Sequence, residues 1–186
     1  MDKRILKTRK SICDALLKLI ETKSSNKITV TEIAALAQIE RKTFYLHYNS
    51  IDDVYKDIEK SISKELEEEA NKYINKSEHK IEDIFKNLNL VINNNFNFFK
   101  SVCKNDSYYF LVRSFETLLS KIILKIAIEN YNIKSKNIKY YTDFYASGIV
   151  KLYTSWIKDE TNLTLDELTS IVTRACFLSV EELSKE

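Results

Sequence analysis

Residues 30–55 read VTEIAALAQIERKTFYLHYNSIDDVY. Val30, Ile33, Ala34 and Ala37 recur at the spacing of one helical face. Thr29 or Thr31 can cap that helix, and Glu32 is an acid in its first turn, where the helix dipole favours negative charge. After Gln38 and Ile39 a second short helix is predicted over about residues 41–48. Ala34, Ala35 and Ala37 are small enough to let two helices cross closely. Ile39, Phe44 and Tyr48 are expected to face inward, which leaves Arg41, Lys42, Thr43, Tyr45 and His47 outside. A support helix, a tight turn and a second helix with such an outer face make the pattern of a helix-turn-helix.

The outer residues suit a duplex. Arg41 or Lys42 can bond the guanine acceptors of the major groove. Thr43 can donate to a phosphate or touch a thymine methyl, and Tyr45 and His47 can donate to phosphate oxygens. The free N–H groups near Thr29 and Thr31 offer another phosphate site. An N-terminal arm with Lys3, Arg4, Lys7, Arg9 and Lys10 can follow the backbone or reach a minor groove.

Working outward, residues 3–22 carry Ile5, Ile12, Leu16, Leu19 and Ile20 near one stripe, so a first helix is predicted there. KSSNK at 23–27 breaks it. Asn49 or Ser50 can cap a long helix over about 51–75, with Asp52 and Asp53 in its first turn. Helix is then predicted over about 77–104 with an interruption near 93–95, over 106–131, and over 139–158. Thr164 and Glu167 form a capping box before a last helix to about Leu183.

The 186 residues contain one Gly and no Pro, which disfavours a hairpin-rich sheet protein. At 44% hydrophobic and 30% charged, the chain is not of the disordered class. Residues 1–50 hold ten Lys and Arg against five Asp and Glu, and residues 51–186 hold nineteen against twenty-two. A basic head on a mildly acidic body points the head at a polyanion. The three cysteines, Cys13, Cys103 and Cys176, have no metal or redox spacing, and an odd number favours a reducing compartment. The start is too polar for a signal peptide and no apolar run is long enough to cross a bilayer, so a cytoplasmic protein without membrane contact is expected.

The stretch 30–55 resembles the DNA-binding motif of the TetR family of one-component repressors. Ile33-Ala34 with Ala37, Thr43-Phe44-Tyr45-Leu46-His47-Tyr48, and Ser50-Ile51-Asp52 carry the resemblance, which covers about residues 5–58. It implies an all-α fold of about nine helices, with a three-helix helix-turn-helix head at 1–50 and a helical effector-binding and dimerisation body at 51–186. It implies that Thr31, Arg41, Lys42, Thr43, Tyr45 and His47 touch DNA, with Arg41 and Lys42 at base-reading positions and Tyr45 and His47 at backbone-contacting ones. Double-stranded DNA, a second copy of the chain and a small-molecule effector are the implied partners. Repression of a palindromic operator, relieved when the effector shifts the two recognition helices from about 34–36 Å apart, is the implied mode. Three positions depart from the family. Gln38 stands where Gly is frequent, so a tighter or differently shaped turn is expected. Glu40 replaces a frequent Ser or Thr cap, and Ile51 replaces a common Lys.

In the body, residues 143–159, DFYASGIVKLYTSWIKD, resemble the family's dimerising helix. Ala146, Gly148 and Leu152, with Leu168, Ile171 and Ala175 of the last helix, are the expected interface. A glycine mid-helix costs ~1 kcal/mol relative to alanine, which a close helix crossing would explain. The aromatic-rich middle suits a pocket for a hydrophobic or cationic small molecule, with Phe96, Phe98, Tyr108 and Tyr109 as candidate lining. Aromatics at helical spacing also serve simply as core.

No enzyme constellation, metal site or cofactor motif is found. His47 and His79 lack ligand spacing, and a single glycine excludes a glycine-rich phosphate loop. The run ELEEEA at 65–70 reads as a solvated helix face. The rival readings are a helical dimeric interaction protein that keeps the head without reading DNA, and a DNA binder without sequence preference.

Overall fold

The computed structural model describes residues 3–72 and 81–183, with the side chains of 81 and 177–183 excepted. Among the described residues there are nine α-helices, two short 3-10 turns and no strand. The helices are α1 (Lys3–Thr22), α2 (Val30–Leu36), α3 (Arg41–His47), α4 (Ile51–Asn71), α5 (Ile81–Asn94), α6 (Phe96–Cys103), α7 (Tyr109–Glu129), α8 (Ile138–Ile157) and α9 (Leu165–Leu183). The expected end of α4 near Asn75, the start of the next helix near Ser77, and His79 lie outside the described residues.

Local chemistry explains the boundaries. Thr29 caps α2 in a complete capping box: its hydroxyl accepts from the Glu32 N–H at 3.3 Å, and the Thr29 N–H donates to Glu32 at 3.0 Å. Ser50 caps α4 by accepting from the Asp53 N–H. Thr164 and Glu167 cap α9 as α2 is capped. The helix break at Asn95 is stabilised by its own side-chain amide, which donates to the Val91 carbonyl at 2.9 Å.

Packing divides into two buried clusters. The first joins the head to the body: Ile12 and Leu16 of α1, Ile33, Phe44, Tyr55 of α4, Phe98 of α6 and Leu111 of α7 are in one contiguous core. The second lies in the body, among Phe85 and Leu88 of α5, Ile122 and Ile126 of α7, Ile149 and Tyr153 of α8, and Leu168 and Val172 of α9. α1 touches α2, α3, α4 and α6, so it is the helix on which the head is assembled. Ile5 is exposed, ahead of the buried stripe, because the head's core begins only at Ile12. Glu65, Glu67 and Glu68 are exposed, as a solvated face requires.

Candidate nucleic-acid interface

The turn between α2 and α3 is a Schellman motif. Ile39 N–H donates to the Ala34 carbonyl at 3.0 Å, Gln38 N–H donates to the Ala35 carbonyl at 3.2 Å, and Gln38 has φ 56°. The left-handed step that glycine makes easily is therefore made here by glutamine. The expectation of a tighter or differently shaped turn is corrected: the motif is a standard one, and the change is a conformational cost on one residue.

α3 is held by its inner side. Phe44 is fully buried and Tyr48 nearly so. Glu40, the residue before α3, makes no side-chain cap hydrogen bond. Its carboxylate instead pairs with Lys42 at 3.0 Å on the exposed side. Arg41, Lys42, Tyr45 and Leu46 are exposed, and Thr43 and His47 are half-buried. Arg41 donates to the Tyr45 hydroxyl at 3.4 Å and its guanidinium lies 5.7 Å from the Tyr45 ring centroid, so the two side chains project together. Leu46 is 79% exposed. Sequence reading assigned it no role, although its position four residues after Lys42 puts it on the same face.

The remaining basic candidates separate. Lys3 and Arg4 are exposed in the first turn of α1, so they extend a helix and are not part of an extended arm. Arg9, expected among the DNA-facing cations, is turned inward. It pairs with Asp57 of α4 at 2.9 Å, donates to the His47 carbonyl at 3.3 Å and stacks 4.4 Å above the Tyr48 ring. Thr31 is exposed in the first turn of α2.

The body contains two neighbouring apolar cavities, of about 50 and about 100 Å³, which share Phe85, Leu88 and Leu119 in their walls. Among the described residues no charged side chain lines either. None of Phe96, Phe98, Tyr108 and Tyr109 does so. Tyr55 of α4 takes two of them: Tyr108 stacks on it at 4.1 Å and Phe98 tilts against it at 5.8 Å. Phe96 packs edge-on to Trp156, and Tyr109 is 61% exposed. Phe98 and Tyr108 belong to the cluster that joins head to body, and the cavities lie further along α5, α7 and α8. Cys103 lines one cavity and Cys176 the other; burial raises both thiols, Cys176 to about 12.

The two last helices present two different faces. Ala146 and Leu168 are fully buried within the chain, so these two expected interface residues serve its own core. Gly148 and Ala175 are exposed, Ile171 is 45% exposed and Leu152 is half-buried. Among the described residues no atom outside its own stretch of α8 lies within 4 Å of where a Cβ on Gly148 would stand, so no described helix crosses there. Phe144 is 72% exposed on the same face of α8, and Tyr140 one turn earlier is exposed too. Sequence reading missed both; the four-residue spacing of Tyr140, Phe144 and Gly148 was the available signal.

Fold and face together define an all-helical protein built on a helix-turn-helix head. Residues 79–176 match the profile of a TetR-type transcriptional regulator C-terminal region. The chain belongs to the TetR family of transcriptional regulators. Solved structures share the fold at low identity. The dihydroxyacetone kinase operon activator DhaS is 18% identical, with a TM-score of 0.73 over 94% of this chain and 96% of that one. A TetR-family regulator from Streptomyces coelicolor is 13% identical, with a TM-score of 0.68 over 99% and 83%. A TetR-like regulator from Rhodococcus sp. RHA1 is 11% identical, with a TM-score of 0.63 over 94% and 96%. No curated protein sequence matches the chain. Among the described residues no helix is long and apolar enough to cross a membrane.

Proposed function

We propose that this regulator is a homodimer that reads a palindromic operator through residues 1–50, and that residues 51–186 dimerise and hold an effector. The outward face of α3 carries the reading. Arg41, Lys42 and Tyr45 stand exposed on a helix anchored by Phe44 and Tyr48 and started by a Schellman turn. A face rigid behind and basic in front suits base edges and phosphates. Arg41 and Lys42 read bases. Thr31, Thr43, Tyr45, His47, Lys3 and Arg4 hold the backbone.

The exposed face of α8 and α9, with Phe144, Gly148, Leu152, Ile171 and Ala175, is the dimer contact. A two-fold operator needs a two-fold protein. The mode is repression, relieved when a small molecule expands the apolar cavities of the body. Among the described residues their walls carry no carboxylate, which favours a neutral apolar effector over a cationic one. Each cavity is well below the ~300 Å³ of a drug-sized site, so binding must push α7 and α8 apart, and that displacement is the signal.

The test is fluorescence anisotropy of DNA from the gene's own upstream region, with wild type and Arg41→Ala/Lys42→Ala, across a salt series. Tight, sequence-dependent binding lost by the double variant supports the reading. The wild-type salt slope counts the phosphate contacts, at about 0.9 for each. Equal, weak binding by both proteins, repeated on a genome-fragment selection, overturns it. A second reading, an interaction protein that no longer reads DNA, draws on the Glu40–Lys42 pair, which offsets one of the two base-reading cations. Base-pair changes decide: a sequence reader loses about 1–3 kcal/mol per key mismatch.

A further inference from the structure

We propose that Leu46 reads the C5-methyl group of a thymine in the major groove. The inference rests on the DNA-reading proposal above and adds a specificity residue that neither polar chemistry nor the family motif assigns. A solitary exposed leucine is ordinary on a protein surface. This one is not solitary in its setting. Leu46 lies one helical turn after Lys42, and the two are almost equally exposed, so they share the outermost line of α3. Arg41 and Tyr45 flank that line on one side, and the buried Phe44 lies behind it. Leu46 is not among the residues packed on the head's core, so folding gives no reason for an apolar side chain there.

Docking the outer line of α3 into a groove takes Leu46 out of water. Three kinds of surface can then meet it. A phosphate or a polar base edge would lose its hydrating water and gain no partner from leucine, which is unfavourable. The thymine methyl is the apolar group on the major-groove floor, and contact with it removes apolar surface from water on both sides. The chemistry therefore selects a T·A pair next to the base step that Lys42 reads.

The experiment removes only the methyl. In duplexes that wild type binds, each thymine is replaced singly by deoxyuridine, which keeps the base pairing. Affinities are measured for wild type and for Leu46→Ala, with thermal melting to show that both are folded. The expected result is one sensitive thymine per half-site, with about a 4-fold loss per methyl. Leu46→Ala, which loses the contact in both half-sites, should bind the thymine duplex about as weakly as wild type binds a duplex with both sensitive thymines replaced, and should ignore each replacement. Tight wild-type binding with every uracil duplex neutral, or a loss that persists in Leu46→Ala, overturns the role of Leu46 and leaves DNA reading intact. Absence of sequence-dependent wild-type binding to any thymine duplex overturns both.

Discussion

The Tyr48 hydroxyl donates to the Asp57 carboxylate at 2.5 Å, tying the end of α3 to α4. Asp57 also takes Arg9 of α1 at 2.9 Å. Burial, and then the Asp57 hydrogen bond, hold the Tyr48 phenol far above its ordinary range, so the proton stays on tyrosine. The position and tilt of α3 thus depend on one carboxylate of the first body helix. Tyr48→Phe keeps the ring in the core and removes the hydroxyl. It should cost roughly 1–2 kcal/mol, in line with a hydrogen bond to a charged group that is partly solvated. Asp57→Asn should cost at least as much, because Arg9 loses its ion-pair partner too. Urea denaturation measures both. If Tyr48→Phe leaves stability and operator affinity unchanged, the clasp does not hold α3.

The body has its own polar joint. Tyr153 of α8 donates to the Asn89 side-chain oxygen, and the Asn89 amide donates to the Thr169 hydroxyl of α9 at 2.6 Å. Asn89 and Thr169 are both buried. Tyr153→Phe strands the Asn89 oxygen away from water and should destabilise by about 1–3 kcal/mol. Pairing Tyr153→Phe with Asn89→Leu removes both partners of the Tyr153–Asn89 bond and should recover part of that loss. A double-mutant cycle by thermal denaturation tests this coupling, and strictly additive losses would refute it.

What could be seen in the residues alone was local. Caps at Thr29, Ser50 and Thr164 need only a side chain and an N–H three residues on; Thr164 stands where the spacing put it, and Thr29 and Ser50 are each one of the two candidates that the spacing left open. The exposure of Arg41, Lys42 and Tyr45 follows from a short helix with one buried aromatic, while Thr43 and His47 are half-buried and Leu46 stands exposed beside them. What could not be seen required knowing the neighbour. Arg9 is chemically as good a DNA cation as Lys10; only the approach of α4 gives it Asp57. Phe98 and Tyr108 look like pocket walls until Tyr55 fills the space between them. Ala146 and Gly148 are two positions apart on one helix, yet a turn of about 200° separates a core residue from an exposed one.

The capping box of α9 gives the fold an acid-side sensitivity. Glu167 accepts from the Thr164 N–H and hydroxyl, and these bonds hold its carboxyl below the ordinary value of 4.5. A depressed folded value means that the contribution is present above the unfolded value and is lost as pH falls through the folded one. Wild type should therefore melt higher than Glu167→Gln at pH 6, with the gap closing as pH drops below about 4.5. Melting curves of both proteins from pH 6 to pH 3 check the sign. A gap that widens in acid contradicts the assignment.

The turn at Gln38 carries a cost that one substitution can remove. A side-chain-bearing residue in the left-handed region is disfavoured by about 1–2 kcal/mol, which glycine does not incur. Glycine also loosens the unfolded chain, which offsets roughly 0.4–1 kcal/mol of that gain. The side chain of Gln38 is exposed, so its removal sacrifices no buried contact. Gln38→Gly should therefore stabilise the protein by about 0.5–1 kcal/mol, while Gln38→Ala, which keeps the Cβ, should not. The Schellman hydrogen bonds of Ile39 and Gln38 are backbone bonds and survive either change. Operator affinity should accordingly stay within a factor of two or so of wild type. Urea midpoints for the two variants decide the matter. Equal destabilisation by glycine and alanine would mean that the glutamine side chain, and not its backbone, supports the turn.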